Sequence, residues 1–284
     1  MFCEKARYFL GALLNITNKD SSCPFCSNPK THLIRRKALV TSLWECDRCG
    51  LRFRMPKGNP QDSFAFYQKR YKQGFTTDCP SEQELKFLLD TNFSSIPKHY
   101  DQYIEVLKAA GLNEGDSLLD FGCSWGYGSW QMEKAGFRVY SYDVSQPRTI
   151  YAKTKLNCRI VEHLSDLPEK VKCFFSAHVI EHLDDPNIIW QAAVQVLGPQ
   201  GIMVCFCPNG EPIREKISGP KKYHQNWSQK HPLLITRKAL VEMSKRYGFS
   251  PYVFSSPFSR EEIRSRREPD RLTGDELLLI AVRQ

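Results

Sequence analysis

Ser117-Leu-Leu-Asp120-Phe-Gly122-Cys-Ser-Trp-Gly126-Tyr-Gly128-Ser carries an apolar run straight into an acidic turn punctuated by glycines. The run reads as a buried strand and the turn as a cofactor loop. Gly122, Gly126 and Gly128 let the backbone turn sharply and approach a ligand closely, because a missing Cβ opens φ/ψ space closed to other residues. Ser129 to Ala135 follows with a helical pattern, which sets the turn at a helix N-terminus, and Arg138 to Tyr142 resumes as a strand ending at Asp143. That acid lies at about the ~20-residue distance at which the second strand of a Rossmann-like unit presents a carboxylate to ribose hydroxyls.

Nicotinamide-type loops follow G-x-G-x-x-G, whereas this one runs G-x-x-x-G-x-G with Asp120 two residues before its first glycine. A carboxylate in the loop repels a pyrophosphate and attracts a cation, which S-adenosylmethionine is through its sulfonium and amino groups. Together with Asp143 and the run Ser176-Ala-His178-Val-Ile-Glu181-His182-Leu-Asp-Asp-Pro186, the loop resembles that of class I S-adenosylmethionine-dependent methyltransferases. Within them it looks most like the group that includes the ubiquinone-biosynthesis O-methyltransferases and many bacterial glycan and natural-product methyltransferases. The resemblance covers roughly residues 100 to 284. It implies a cofactor site built from Asp120, Gly122, Cys123, Ser124, Gly126, Asp143, Val144 and His178. Ser124 departs from the pattern, standing where the family usually carries Gly.

From Ser117 onward strands and helices alternate, which predicts an α/β fold: a Rossmann-like, mostly parallel seven-stranded sheet with helices on both faces. The expected strands are 117–121, 138–142, 159–161, 173–177, 201–207, 252–255 and 276–282, with helices over 187–197 and 236–247. Ser81 to Ala110 reads as mostly helical, opened by a Ser81/Glu84 capping box and interrupted at Pro97. Aromatic residues crowd the stretch before it, in Phe64-Ala-Phe66-Tyr67 and Tyr71, and suit interdomain packing.

Cys23-Pro-Phe-Cys26 and Cys46-Asp-Arg-Cys49-Gly50 are two C-x-x-C pairs separated by nineteen residues. That spacing matches zinc ribbons, in which each knuckle supplies two thiolates to a tetrahedral metal, so Cys23, Cys26, Cys46 and Cys49 are the expected structural zinc ligands. The expected division is an N-terminal segment 1–18, a zinc ribbon 19–57, a linker and helical cap 58–110, and a cofactor-binding methyltransferase domain 111–284. Met1 to Leu14 is broken by Glu4, Lys5 and Arg7 and is followed by no small-residue cleavage pattern, so a cytoplasmic, reducing location is expected rather than secretion. No apolar run approaches the ~18 residues that span a bilayer.

Of the net charge of +9, residues 1 to 80 hold +8, from 14 Lys and Arg against 6 Asp and Glu. A basic ribbon suits an anionic partner such as RNA or a nucleotide-linked glycan; a merely solvated surface is the plainer reading.

The strand-end segments 120–128, 143, 178–182 and 208–210 should gather around one cleft, since ligands of open α/β sheets bind at the carboxyl ends of strands. Methyl transfer to a hydroxyl needs a base, and His182 and His178, with Glu181 beside them, are the catalytic candidates. Some relatives hold a divalent cation on a Glu-x-x-Glu-His segment and a later His. Here His178 replaces the first Glu and His231 best matches the distant ligand, a nitrogen-rich set that favours zinc over magnesium for any second metal. Glu211 to Ile235 is long, basic and aromatic, and reads as a lid over the acceptor.

The expected function is S-adenosylmethionine-dependent O-methylation of a small molecule or glycan precursor. An RNA methyltransferase using the basic ribbon, and an inactive scaffold, are the alternatives. Metal analysis after exchange into metal-free buffer should find about one zinc per chain, and a metal-free, folded protein would refute the ribbon.

Overall fold

The computed structural model describes residues 20–37, 41–58, 78–94 and 99–284. The segment 1–18 and the aromatic stretch 64–71 lie outside the described residues. Two sheets organise the rest. The larger holds β4 (Ser117–Phe121), β5 (Arg138–Tyr142), β6 (Arg159–Ile160), β7 (Val171–Ala177), β8 (Leu197–Pro208), β10 (Phe249–Ser255) and β11 (Glu276–Arg283), in the order β10-β11-β8-β7-β4-β5-β6. β4 pairs in parallel with β5 and β7, β5 with β6, and β7 with β8; β11 runs antiparallel to both β8 and β10. This is the expected seven-stranded, mostly parallel α/β sheet.

β4 is buried along its whole length, as a central strand covered on both faces must be, and its Ser-Leu-Leu-Asp-Phe run is accordingly apolar apart from Ser117 and Asp120. Helices α3 (Tyr127–Lys134), α4 (Gln146–Leu156), α5 (Asn187–Val196) and α8 (Arg237–Arg246) supply apolar side chains to the cores on its two faces. Thr236 caps α8, its hydroxyl accepting from Ala239 N at 3.2 Å. The helical stretch before the sheet forms two pieces, α1 (Glu82–Asp90) and α2 (Asp101–Ala110), and α1 begins with the expected Ser81/Glu84 capping box. Phe93, just beyond α1, and Tyr100, at the start of α2, pack against Trp125 and Tyr127 of the glycine turn. Among the described residues no helix is long and apolar enough to cross a membrane.

The smaller sheet contains β1 (Thr31–Lys37), β2 (Thr41–Cys46) and β3 (Arg52–Met55), antiparallel throughout. Its fourth strand, β9 (Leu233–Leu234), comes from far along the chain and pairs with β3 through Arg52↔Leu234 and Phe53↔Leu233. Cys23, Phe25, Cys46, Cys49, Leu51 and Phe53 share one apolar core with Ile180, Leu240 and Met243. The segment read as a lid also departs from a simple loop. It folds into the short helices α6 (Pro212–Ser218) and α7 (Pro220–Tyr223) and then β9, with Tyr223 and Trp227 buried against Leu43 and Leu234. Burying large aromatic rings on a partner sheet outweighs leaving them free to close over a cleft.

Gly126 shows how little room the turn has. It sits at φ +86°, and a Cβ would stand 2.8 Å from both Ala152 Cβ and Cys158 Sγ. Gly126→Ala should therefore lower the stability measured by urea unfolding by about 2 kcal/mol or more, from left-handed strain plus overpacking. An unchanged midpoint would mean that the turn relaxes.

Candidate active site

The parallel strands β4, β5, β7 and β8 end on one edge of the sheet and deliver the glycine turn, Asp143, the 178–182 segment and Asn209 there. Gly122 N and Cys123 N both donate to Tyr142 O, at 2.8 and 3.0 Å, which folds the turn back toward the end of β5. Gly122 has φ +90°, and a Cβ would stand 2.3 Å from Val179 Cγ2, so the turn packs tightly on the 178–182 segment. Gly128 lies under Tyr100, whose ring a Cβ would meet at 2.4 Å.

Asp143 accepts from Ser124 N and from Ser145 N, each at 2.8 Å, which aims the carboxylate at the turn. Burial raises its pKa, while those two main-chain donors and the Arg148 guanidinium pull the other way. Val144 follows it with 44% of its surface exposed, an apolar face beside the acid. Ser124 has φ +55°, a conformation that suits the expected Gly, and its hydroxyl accepts from buried Arg148. The serine side chain thus anchors an arginine that neutralises part of Asp143. Neither Arg148 nor that role carries a local sequence signal, because the pairing crosses from the turn to α4.

Asp120 is 3% exposed, and its carboxylate accepts from Ser129 Oγ at 2.6 Å, with Ser141 Oγ donating to Ser129 Oγ at 2.8 Å. It ties β4 to α3 beneath the turn. Cys123 is buried, and burial pushes its thiol well above the ordinary range.

Glu181 and His182 lie in a 3-10 turn, Ile180–His182, that directly follows the end of β7 and the tight residue His178 (φ +56°). Glu181 is 2% exposed; its Oε2 and His182 Nδ1 are buried without hydrogen-bond partners. His231 closes on this pair from the segment before β9. The His182 and His231 rings lie 4.4 Å apart edge to face, and one donor atom from each of Glu181, His182 and His231 falls within 4.8 Å of the others. Burial lowers the His182 pKa and keeps the imidazole neutral near pH 7, against the pull of Glu181.

His178 touches that cluster only through Glu181. Its Nε2 is 2.7 Å from Glu276 Oε1 and its Nδ1 is 3.3 Å from Glu181 Oε1. Tyr103 of α2 donates to Glu276 Oε1 at 2.9 Å. Burial works against the imidazolium, but the hydrogen bonds to Glu181 and Glu276 outweigh it and raise His178 to about 10. The sequence places Tyr103 on a helix and Glu276 at the start of a strand but gives neither a role in the site. Glu276 reaches the edge because β11 is antiparallel and starts where its neighbours end, a direction that no residue pattern in β11 encodes. Asn209, at the end of β8, donates to Leu272 O and Gly274 O and is 1% exposed, so it braces the C-terminal segment.

At the other sheet, Cys23 Sγ and Cys49 Sγ are 3.5 Å apart, Cys26 and Cys46 3.6 Å, and Cys26 and Cys49 3.7 Å. A tetrahedral zinc with Zn–S of about 2.3 Å requires S···S of about 3.8 Å, so the four thiols fit the ion with little movement. Hydrogen bonding with Cys49 pulls Cys23 down to about 5, and the same contact, with burial, pushes Cys49 far up. Four thiols this close, three of them buried, cannot all ionise without a cation among them. Of the basic residues counted toward an anionic partner, Arg52 and Arg54 are buried, and Lys37 donates to His224 O and Trp227 O.

Residues 96–252, more than half of the chain, match the family described as "Methyltransferase domain". The ubiquinone biosynthesis O-methyltransferase of Cereibacter sphaeroides is 29% identical over 159 residues, covering 49% of this chain and 62% of that protein. The protein of the same name from Hydrogenovibrio crunogenus is 26% identical over 119 residues, 38% of this chain and 49% of its own. The chain thus spans less than two thirds of the length of these relatives. Among solved structures, magnesium protoporphyrin IX methyltransferase from Synechocystis PCC 6803, with bound SAH, has a TM-score of 0.52 at 14% identity over 80% of this chain and 100% of its own. The plantazolicin methyltransferase BpumL, in complex with SAH, gives 0.51 at 14% over 79% of this chain and 96% of its own. These two share the fold. The chain belongs to the methyltransferase-domain family, within the class I S-adenosylmethionine-dependent methyltransferases.

Asp120 carries a pH signature. Burial lifts its pKa to about 7, with Ser129 opposing and Asp143 adding to the rise. The unfolded chain ionises near the ordinary value of about 3.9. The folded state therefore holds the extra proton between those values, and this group's contribution to stability falls as pH rises from about 4 to about 7, then levels. Asp120→Asn should flatten that slope by on the order of 2 kcal/mol across urea titrations at pH 4.5 and 7.5. An undiminished slope would remove Asp120 as its source.

Proposed function

We propose that the chain transfers a methyl group from S-adenosylmethionine to an oxygen of a small-molecule or glycan-precursor acceptor, with His182 as the base. The observation that carries this reading is the convergence of Glu181, His182 and His231 at the strand ends, in a segment that packs on the glycine turn through Val179 and Gly122. When bound, the cofactor supplies an activated methyl group on a sulfonium leaving group.

The chain's own residues supply position and proton handling. Asp143, held by two main-chain donors, offers its remaining lone pairs to ribose hydroxyls, and Val144 offers an apolar face to the adenine. Asp120, Gly122, Cys123, Ser124 and Gly126 shape the turn around the methionine end. His182, kept neutral by burial, accepts the acceptor's proton, and buried Glu181 stabilises the imidazolium that forms. His178 is unsuited to that task near pH 7, because its two carboxylate neighbours keep it protonated. Its role is to hold Glu181 and Glu276 in place and to present a fixed positive charge where it is exposed.

In the alternative reading, the unpartnered Glu181 Oε2 and His182 Nδ1 hold a divalent metal with His231 as third ligand, and a metal-bound His182 would not serve as the base. One oxygen and two nitrogens suit zinc or a similar transition ion better than magnesium, and such an ion would polarise the acceptor hydroxyl. The four cysteines would hold a separate, structural zinc.

Calorimetry tests the cofactor: S-adenosylmethionine and its demethylated product should both bind the purified chain, and failure of both would end the enzyme reading. With extracted small molecules as the acceptor pool, His182→Ala should cut methyl transfer by roughly 10²- to 10⁴-fold and leave product-cofactor affinity within about twofold. Full activity in that variant would take His182 out of the role.

A further inference from the structure

His231 reaches Glu181 and His182 from a segment that has no pairing with the large sheet at that point. Its main chain bonds to Ser228, with Ser228 N donating to His231 O at 3.0 Å and His231 N to Ser228 Oγ at 3.3 Å, and the small sheet holds the chain from the next residue on. Arg54 N of β3 donates to Pro232 O at 2.8 Å, and β3 pairs with Leu233 and Leu234 immediately after. β3 itself begins three residues beyond Cys49, and the turn between them is tied to the knuckle by Gly50 N donating to Cys46 O and Cys46 N donating to Leu51 O. The far side is pinned to the same turn: Thr236 Oγ1 donates to Gly50 O at 3.1 Å, and Lys238 Nζ donates to Asp47 O at 3.0 Å.

Arg52 joins these parts. Its guanidinium, 7% exposed, donates to Glu45 Oε2 at 2.6 Å, to Gly210 O at 3.2 Å and to Tyr223 Oη at 2.7 Å. Gly210 follows the end of β8, and Tyr223 Oη donates to its carbonyl at 2.6 Å. One buried cation therefore links the ribbon, the catalytic edge of the large sheet and the helices that lead to His231. A buried charge with this many partners is costly to disturb, because removing one leaves the others unpaired.

We infer that the four-cysteine ribbon is a positioning element for the reacting cleft: through β3 and Arg52 it sets His231 against Glu181 and His182, so that occupancy of the cysteine site governs the geometry of that cluster. The shared apolar core holds one face of this small sheet, but the knuckle turns that carry the thiols are short loops, which a metal cross-link fixes. When the thiols lose their ion, the turn 46–50 loosens, β3 loses register, and the chain around 231–236 is released. The cofactor turn and Asp143 depend on β4 and β5, which the ribbon does not pair with, so their geometry survives. The functional consequence rests on the reading of Glu181, His182 and His231 as the reacting centre; the mechanical coupling does not.

The test uses the full chain in three states: as purified with zinc, after zinc is withdrawn by a chelator, and after zinc is returned. Cys46→Ser is read beside them; it removes a ligand from the cysteine site alone and so separates its ion from any ion held by Glu181, His182 and His231. Backbone hydrogen exchange and imidazole ¹⁵N shifts are read in each, with product-cofactor affinity by calorimetry alongside. Withdrawal should speed exchange at 231–236 by roughly tenfold or more and move the His182 and His231 nitrogens, leave 117–145 protected and affinity within about twofold, and reverse on zinc return. Tyr223→Phe, which keeps zinc but loses a partner of Arg52, should show the same local change at smaller amplitude. Unaltered exchange at 231–236 and unmoved imidazole shifts on zinc withdrawal would overturn the inference, as would loss of protection throughout 117–145, which would make the ribbon a general stabiliser. A zinc-loaded chain that binds no product cofactor would instead defeat the proposed function and leave the exchange result to decide the coupling.

Discussion

Parallel pairing of β4 with β5 on one side and β7 on the other is the constraint from which the rest of the molecule follows. Strands that run the same way end on the same edge, so the glycine turn, Asp143 and the 178–182 segment have no other place to be. β11 completes that edge from the opposite direction. Being antiparallel, it begins where β8 ends, with Glu276 opposite Pro208, and so contributes a carboxylate at the strand ends from its first residue. The same edge thus collects acids from both kinds of strand.

Such crowding of acids and imidazoles in a poorly solvated place needs arrangement. Asp120 is hydrogen-bonded to a serine beneath the turn, Asp143 to main-chain amides within it, and His178 sits between two carboxylates. Each solution sorts charge differently. Burial dominates Asp120 and pushes it toward neutrality, whereas ion pairing dominates His178 and holds it charged. His182 and Glu181 retain one buried, unpartnered atom each. Trp190 Nε1 and Ser244 Oγ are also buried without a partner, but among the described residues only Glu181 and His182 bring an acceptor and an imidazole nitrogen together beside a third such group, His231.

The four-cysteine sheet shares a core with the large sheet and takes its fourth strand from the methyltransferase domain. Ribbon cysteines pack in one apolar cluster with Ile180 and Leu240, and the fourth strand of the ribbon sheet is lent by the segment that carries His231. Positive charge that composition assigns to the surface is partly inside. Arg52 and Arg54 are buried, and Lys37 is bonded to two carbonyls of the 224–227 segment, which leaves less cationic surface for RNA or a glycan phosphate.

Much of this was legible along the chain because it depends on local pattern. The strand-turn-helix unit at 117–135, the capping box at Ser81, the acid at 143 and the paired C-x-x-C motifs each declare themselves within a few residues, since backbone freedom, capping and metal-ligand spacing are short-range properties. The parallel order of the strands was legible for the same reason, as alternation with helices leaves few other topologies. Long-range pairings left no such trace. Leu233 and Leu234 are only two apolar residues, too few to show a strand period, and they become a strand because β3 offers unpaired amides and carbonyls beside them. The neighbours of Asp143 and His178, namely Arg148, Glu276 and Tyr103, come from 5, 98 and 75 residues away in sequence, and the last two distances decide which carboxylates and hydroxyls share a charge. Residue type set which groups could bind a cofactor, a metal or a proton. Which of them are buried together, and hence which are charged, was decided only when the chain closed on itself, because desolvation and ion pairing are properties of neighbours in space.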